Sequence, residues 1–149
     1  MIRAFSPDGT EIVFQGANDP HVPVSQGWLR ASHRALTPGQ SRPFLPVHPH
    51  DRADPLTPAT VYELDIEILP TSLVLPAGYT LMLDVQAHDY VYPRSVAEAH
   101  PNLSMPFTGS GPFLHNDAHD RPDDIYGGTV TLHTGPQHAS YLLLPLIPN

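Results

Sequence analysis

The chain has 149 residues and a formal charge of −8, from seven cations against fifteen acids, and contains no Cys. That length suits one domain able to bury a real core, while the acidic balance excludes nucleic-acid binding through a positive field and the missing thiols exclude a disulfide framework. Nineteen Pro and ten Gly divide the chain into short elements joined by turns, the pattern of an all-β protein rather than a helical one.

The elements follow in chain order. "SPDGTEIVF" predicts a turn at Pro7, Asp8 and Gly9 that opens into a strand with Ile12 and Phe14 on one face. "GWLRASHR", residues 27–34, predicts a strand that sets Trp28, Arg30, Ser32 and Arg34 on one side; Gly27 and Ser32 weaken the helical alternative. "VYELDIEIL" alternates with period two, Tyr62, Leu64, Ile66 and Ile68 against Glu63, Asp65 and Glu67, as a half-buried strand with an acidic outer face does. "PAGYTLMLDVQAHD" repeats that pattern after a turn at Pro76 to Gly78, with Tyr79, Leu81, Leu83, Val85 and Ala87 facing in. "GGTVTLHT" sets Val130 and Leu132 on one face, and "SYLLLPLIP" is apolar enough to be covered on both. Long connections at 35–58, 90–113 and 114–127 hold no helical period, though "SVAEAHPNL" offers one or two turns. No internal repeat is present.

Three kinds of chemistry are weighed on these elements. "HNDAHDRPDD" gathers His115, Asp117 and His119 as candidate metal ligands, but Pro122 disfavours the helix such spacing needs, and Asp120 beside Arg121 reads as a loop pinned by ion pairing. "HPHD" has the H-x-H of a cupin, yet no glycine stands close upstream of His48 and no Glu follows His50 at the required distance. No metal and no cofactor are therefore expected. A hydrolase nucleophile needs a G-x-S-x-G elbow; Ser110 has Gly on each side at the wrong spacing, so no catalytic residue is assigned. The aromatic residues could stack on sugars, but such residues more often anchor cores and interfaces.

"GWLRASHRALTP", "PLTPATVYELDIEILPTSLVLPAGYTLMLDV", "FLHNDAHDRPDDIYGG" and "GGTVTLHTGPQHASYLLLPLIP" together resemble the C-terminal domain of the CocE/NonD hydrolases, the cocaine-esterase and Xaa-Pro dipeptidyl-peptidase type of α/β hydrolase. The resemblance runs from about Phe5 to Pro148. It implies an antiparallel jelly-roll sandwich of galactose-binding-like form, one domain over 1–149 that lacks the family's first strands and its catalytic α/β-hydrolase domain. It also implies a non-catalytic role, packing on that catalytic domain and helping to wall its substrate cleft. Trp28, Arg30 and Arg34 are then the interface candidates, as aromatics and Arg are typical anchors; the alternative is that the two Arg pair with acids inside the sandwich.

The partners expected are a catalytic domain or chain, or a second copy of this chain, with no nucleic acid and no membrane. A carbohydrate-binding module is the competing function. "MIRAFSPDGTEIVF" has acids where a leader would be apolar, so a cytoplasmic setting is expected.

Overall fold

The computed structural model describes residues 1–93, 107–111 and 114–147. It is mostly non-helical, with a small antiparallel sheet. The strands are β1 (Ile2–Phe5), β2 (Glu11–Ile12) and β3 (Thr80–Leu83), joined in the order β2-β1-β3. The described chain forms two compact units, one of Met1–Gln26 with Leu69–Thr129 and one of Gly27–Ile68 with Val130–Asn149.

The first unit is built on β1. The turn read at Pro7 to Gly9 is present: the Gly9 amide donates to Ser6 O at 2.9 Å, and Gly9 takes φ 82°. That reversal folds β2 back on β1, pairing Ala4 with Ile12 and Phe5 with Glu11. The second predicted turn is present too. Tyr79 N donates to Pro76 O at 3.2 Å, and Gly78 takes φ 86°, the left-handed position a Pro-X-Gly turn needs. It launches β3, which pairs Ile2 with Leu83, Arg3 with Met82, Ala4 with Leu81 and Phe5 with Thr80. Period-two geometry puts Ile2, Ala4, Leu81 and Leu83 on one face. Ile2 and Ala4 are buried there, with Val24 and Tyr90 completing the small core.

The second unit holds few regular elements. Residues 27–34 do not form the expected strand. A 3-10 helix occupies Ala31–His33, closed by His33 N donating to Arg30 O at 2.7 Å. A local bond three residues back outcompeted a ladder that had no neighbouring strand to complete it. The predicted strands at 61–69, 127–134 and 140–148 are also not formed among the described residues; in the last third only Gly135 and His138 bridge. Alternation marks side chains that seek cover, but a strand exists only where a second backbone lies alongside to pair. Leu132, Tyr141, Leu143 and Leu146 are accordingly exposed.

One helix went unread in the sequence. Asp123–Tyr126 forms a single turn, α1, behind Pro122. Proline has no amide to lose at that end, and Asp123 and Asp124 suit the positive start of a helix. The turns read at 95–103 lie outside the described residues. No helix among the described residues is long and apolar enough to cross a membrane.

Candidate functional site

In the first unit the polar groups gather around Arg3. β1 and β2 leave Arg3 and Glu11 as diagonal neighbours across the hairpin. Arg3 Nε donates to Glu11 Oε1 at 2.8 Å and Nη2 to Oε2 at 2.7 Å, a two-pronged guanidinium–carboxylate pair. Its remaining nitrogen, Nη1, reaches Asp84 Oδ2 at 3.1 Å. Tyr90 donates its hydroxyl to Glu11 Oε1 at 2.8 Å, and the guanidinium carbon lies 5.1 Å from the Phe5 ring centre and 5.6 Å from that of Tyr90.

The electrostatics follow from that geometry. Burial pushes the Glu11 carboxyl up, but the donors of Arg3 and Tyr90 outweigh it and hold the group below the usual carboxylate range. Burial, with the Glu11 charge beside it, pushes the Tyr90 phenol well above its usual value. The bond to Glu11 raises Arg3 further. A cavity of about 380 Å³ opens beside this network, between Phe5, Asp8 and Tyr92. Each charged group on its wall is already engaged: Asp8 accepts the Ser6 hydroxyl and the Thr10 amide. The cluster can hold strands together, but it offers no poised base.

A second knot in this unit joins distant segments. Asp19, almost wholly buried, accepts the His21 amide at 2.9 Å and the Gly109 amide at 2.6 Å. The His21 ring stacks on Tyr92 at 4.6 Å, and Ser110 donates its hydroxyl to Tyr90 O at 2.7 Å. The acid–histidine loop lies apart. His115 Nδ1 contacts Asp89 Oδ1 at 2.8 Å, Asp117 Oδ1 accepts the His119 amide at 2.8 Å, and Arg121 reaches Asp120 at 3.8 Å. His115, Asp117 and His119 are thus turned to separate tasks, and the Asp120–Arg121 pairing is as read from the sequence. Among the described residues no three acid or histidine side chains are placed to hold a metal.

The second unit carries the interface candidates. Trp28 is half exposed, and Arg30 caps the 3-10 turn through its backbone. Arg34 is drawn inward: its Nη1 donates to Asp54 O at 2.6 Å and to Ala31 O at 3.1 Å, and its guanidinium sits 4.2 Å over the Tyr62 ring. Arg34 thus ties 31, 54 and 62 together within this unit. His48 lies between two backbone carbonyls, Ala35 O at 3.1 Å from Nδ1 and Asp65 O at 2.9 Å from Nε2. His50 Nδ1 meets His33 Nδ1 at 3.2 Å.

The hydroxyls of Ser25, Ser110 and Ser140 donate to backbone carbonyls, at Leu69, Tyr90 and His133 respectively. The Arg3 network was missed in the sequence. Its signal was there in the turn at Pro7 to Gly9, which makes Arg3 and Glu11 neighbours across two short strands.

A family model described as the X-Pro dipeptidyl-peptidase C-terminal non-catalytic domain matches residues 1–143. Two curated proteins carrying the name "Putative serine esterase", from Mycobacterium bovis and Mycobacterium tuberculosis, are each 31% identical over 97 residues, 60% of this chain and 15% of the relative. The chain thus spans about 15% of the length of those relatives. No solved structure matches.

Proposed function

Because this chain belongs to the family of X-Pro dipeptidyl-peptidase C-terminal non-catalytic domains, we propose that it serves a CocE/NonD-type serine hydrolase as an accessory domain. In that role it packs on an α/β-hydrolase catalytic domain and helps wall the substrate cleft, within a jelly-roll framework. The parent reaction is hydrolysis of an acyl ester or of an Xaa-Pro dipeptide bond, by a triad that the partner supplies.

The observation that carries this reading is the family match over residues 1–143. The apolar surface of the second unit supports it: Tyr141 is 75% exposed and Leu146 83% exposed, in a segment whose pattern calls for cover on both faces. Exposed large apolar side chains in a cluster mark a surface meant to be covered. Trp28 and Arg30 lie in the same unit and are the anchors proposed for that contact. The sugar-binding alternative draws less support, because β1, β2 and β3 carry a single aromatic residue, Phe5.

The test is complementation. A family α/β-hydrolase catalytic domain stripped of its own C-terminal domain is mixed with this chain. Binding, a raised melting temperature and a changed KM for Xaa-Pro arylamides or p-nitrophenyl esters are expected, and Trp28→Ala should weaken all three. The chain alone should leave both substrates intact. Turnover by the isolated chain that serine-directed phosphonates abolish would overturn the reading.

A further inference from the structure

We propose that the imidazoles of His33 and His50 form a two-pronged site for a divalent transition-metal ion such as zinc, held through both Nδ1 atoms. This goes beyond the accessory role above and does not depend on it.

The sequence pairs His50 with His48 as an H-x-H, but folding gives His50 a different mate. His33 Nδ1 and His50 Nδ1 stand 3.2 Å apart, from positions 17 residues distant in the chain. The ring centres are 5.3 Å apart and the planes meet at 35°. Without an ion, one ring donates its Nδ1 proton to the other, at the outer end of the hydrogen-bond range. An ion suits the same gap. Imidazole is the commonest protein ligand for such metals. Two imidazole nitrogens at about 2.0–2.1 Å from one tetrahedral zinc ion stand roughly 3.3–3.4 Å apart. Closing this pair on an ion thus needs a shift of only ~0.2 Å.

Both ligands ride on segments that are tied to each other. His33 ends the 3-10 turn of Ala31–His33. Asp54 N donates to Ser32 O at 2.7 Å, and Arg34 Nη1 donates to Asp54 O at 2.6 Å. The neighbours of one ring therefore hold the segment that carries the other. The His48 ring, set between Ala35 O and Asp65 O, lies 5.8 Å from that of His50 and backs it. Ligands held beforehand lose less freedom when an ion arrives.

The backbone supplies a separate observation. His50 takes φ 52°, one of two described residues other than glycine in the left-handed region. A residue with a Cβ is disfavoured there, and such positions persist where their surroundings fix them, often at functional sites. The ring carried on that backbone is the one that meets His33. His50 is exposed and His33 half-buried, so an ion reaches the pair without any part of the fold opening.

The site has two protein ligands, and among the described residues no group of three exists. Water takes the remaining positions. The ion then clips residue 33 to residue 50 and stabilises the second unit. Both rings must offer a lone pair at Nδ1, so binding moves the shared proton to Nε2 of its ring and releases none.

The test uses the whole chain and Zn2+ alone. Titration calorimetry should find micromolar affinity, and Zn2+ should raise the melting temperature. His33→Ala and His50→Ala should each weaken binding by about tenfold or more, because the second arm of a chelate binds at high effective concentration. The double variant should lose little beyond either single one. Replacing His133 and His138 by Ala removes another close pair of rings, 5.2 Å between centres, and should leave the binding unchanged. Nitrogen-15 NMR of the unaltered chain reads the site without a substitution: on binding, the Nδ1 signals of His33 and His50 should move together, with each ring protonated at Nε2. Millimolar affinity only, undiminished binding in either alanine variant, or movement of other histidine signals in place of these two would overturn the site.

Discussion

Asp19 and Gly109 stand 90 residues apart, yet the Asp19 carboxylate accepts the Gly109 amide at 2.6 Å from a position only 1% exposed. The same carboxylate accepts the His21 amide, so a single buried acid joins the loop after β2 to the segment at 107–111. A buried carboxylate is tolerable only when its oxygens are engaged, and amide donors meet that demand here.

Asp19→Ala should therefore cost about 2–6 kcal/mol, since one buried and one part-buried N–H group lose their acceptor and each costs roughly 1–3 kcal/mol. Asp19→Asn keeps one acceptor oxygen and should cost less than the alanine change. Urea denaturation of the three proteins checks the order; equal losses in both variants would show that the bonds to the two amides contribute nothing.

Gly109 cannot be replaced cheaply. Its φ is 97°, and an added Cβ would lie 2.4 Å from Tyr90 Cε1 and 2.8 Å from His21 O. Gly109→Ala combines an unfavourable backbone region with overpacking and should cost about 3 kcal/mol or more. Gly111, at φ 65° with nothing within 4 Å of an added Cβ, is the control. Gly111→Ala should cost only about 1–2 kcal/mol, the price of the left-handed backbone. Thermal melts of both variants separate the steric contribution from the backbone one.

Glu11 predicts how the fold responds to acid. Its carboxyl is held below the ordinary value of 4.5 because Arg3 and Tyr90 outweigh its burial. A depressed carboxyl stabilises the fold fully above the unfolded value and loses that contribution as pH falls through the folded one. The first unit should thus weaken as pH drops below 4.5. Glu11→Gln, which cannot ionise, should lose about 2–3 kcal/mol at neutral pH and show a flatter acid limb. Parallel acid limbs in the two proteins would dismiss the Arg3–Glu11 pair as their cause.

Arg34 is predicted to be structural. Its two carbonyl bonds and its place over Tyr62 need a planar cation, so Arg34→Lys should recover little of what Arg34→Ala loses, about 1–3 kcal/mol. If either variant keeps full stability but loses binding to a catalytic partner, Arg34 belongs with Trp28 and Arg30 at the contact instead.

The sequence determined the features that depend on neighbours in the chain. Pro7 to Gly9 and Pro76 to Gly78 specify turns because proline presets one dihedral and glycine alone accepts the next, and the strands that leave those turns were legible with them. The motif order was enough to identify the family, and the acid next to Arg121 was enough to read its pairing. Tertiary structure decided everything that needs a second segment. Whether 27–34, 61–69, 127–134 or 140–148 became strands depended on a continuous ladder with a neighbouring backbone, and among the described residues only isolated bonds form, such as Leu69 N to Gln26 O at 2.9 Å and the Gly135–His138 bridge. Arg34 went to carbonyls at 31 and 54, and Asp19 found an amide 90 residues away. Local alternation tells a side chain which way to face; only the folded chain supplies what it faces.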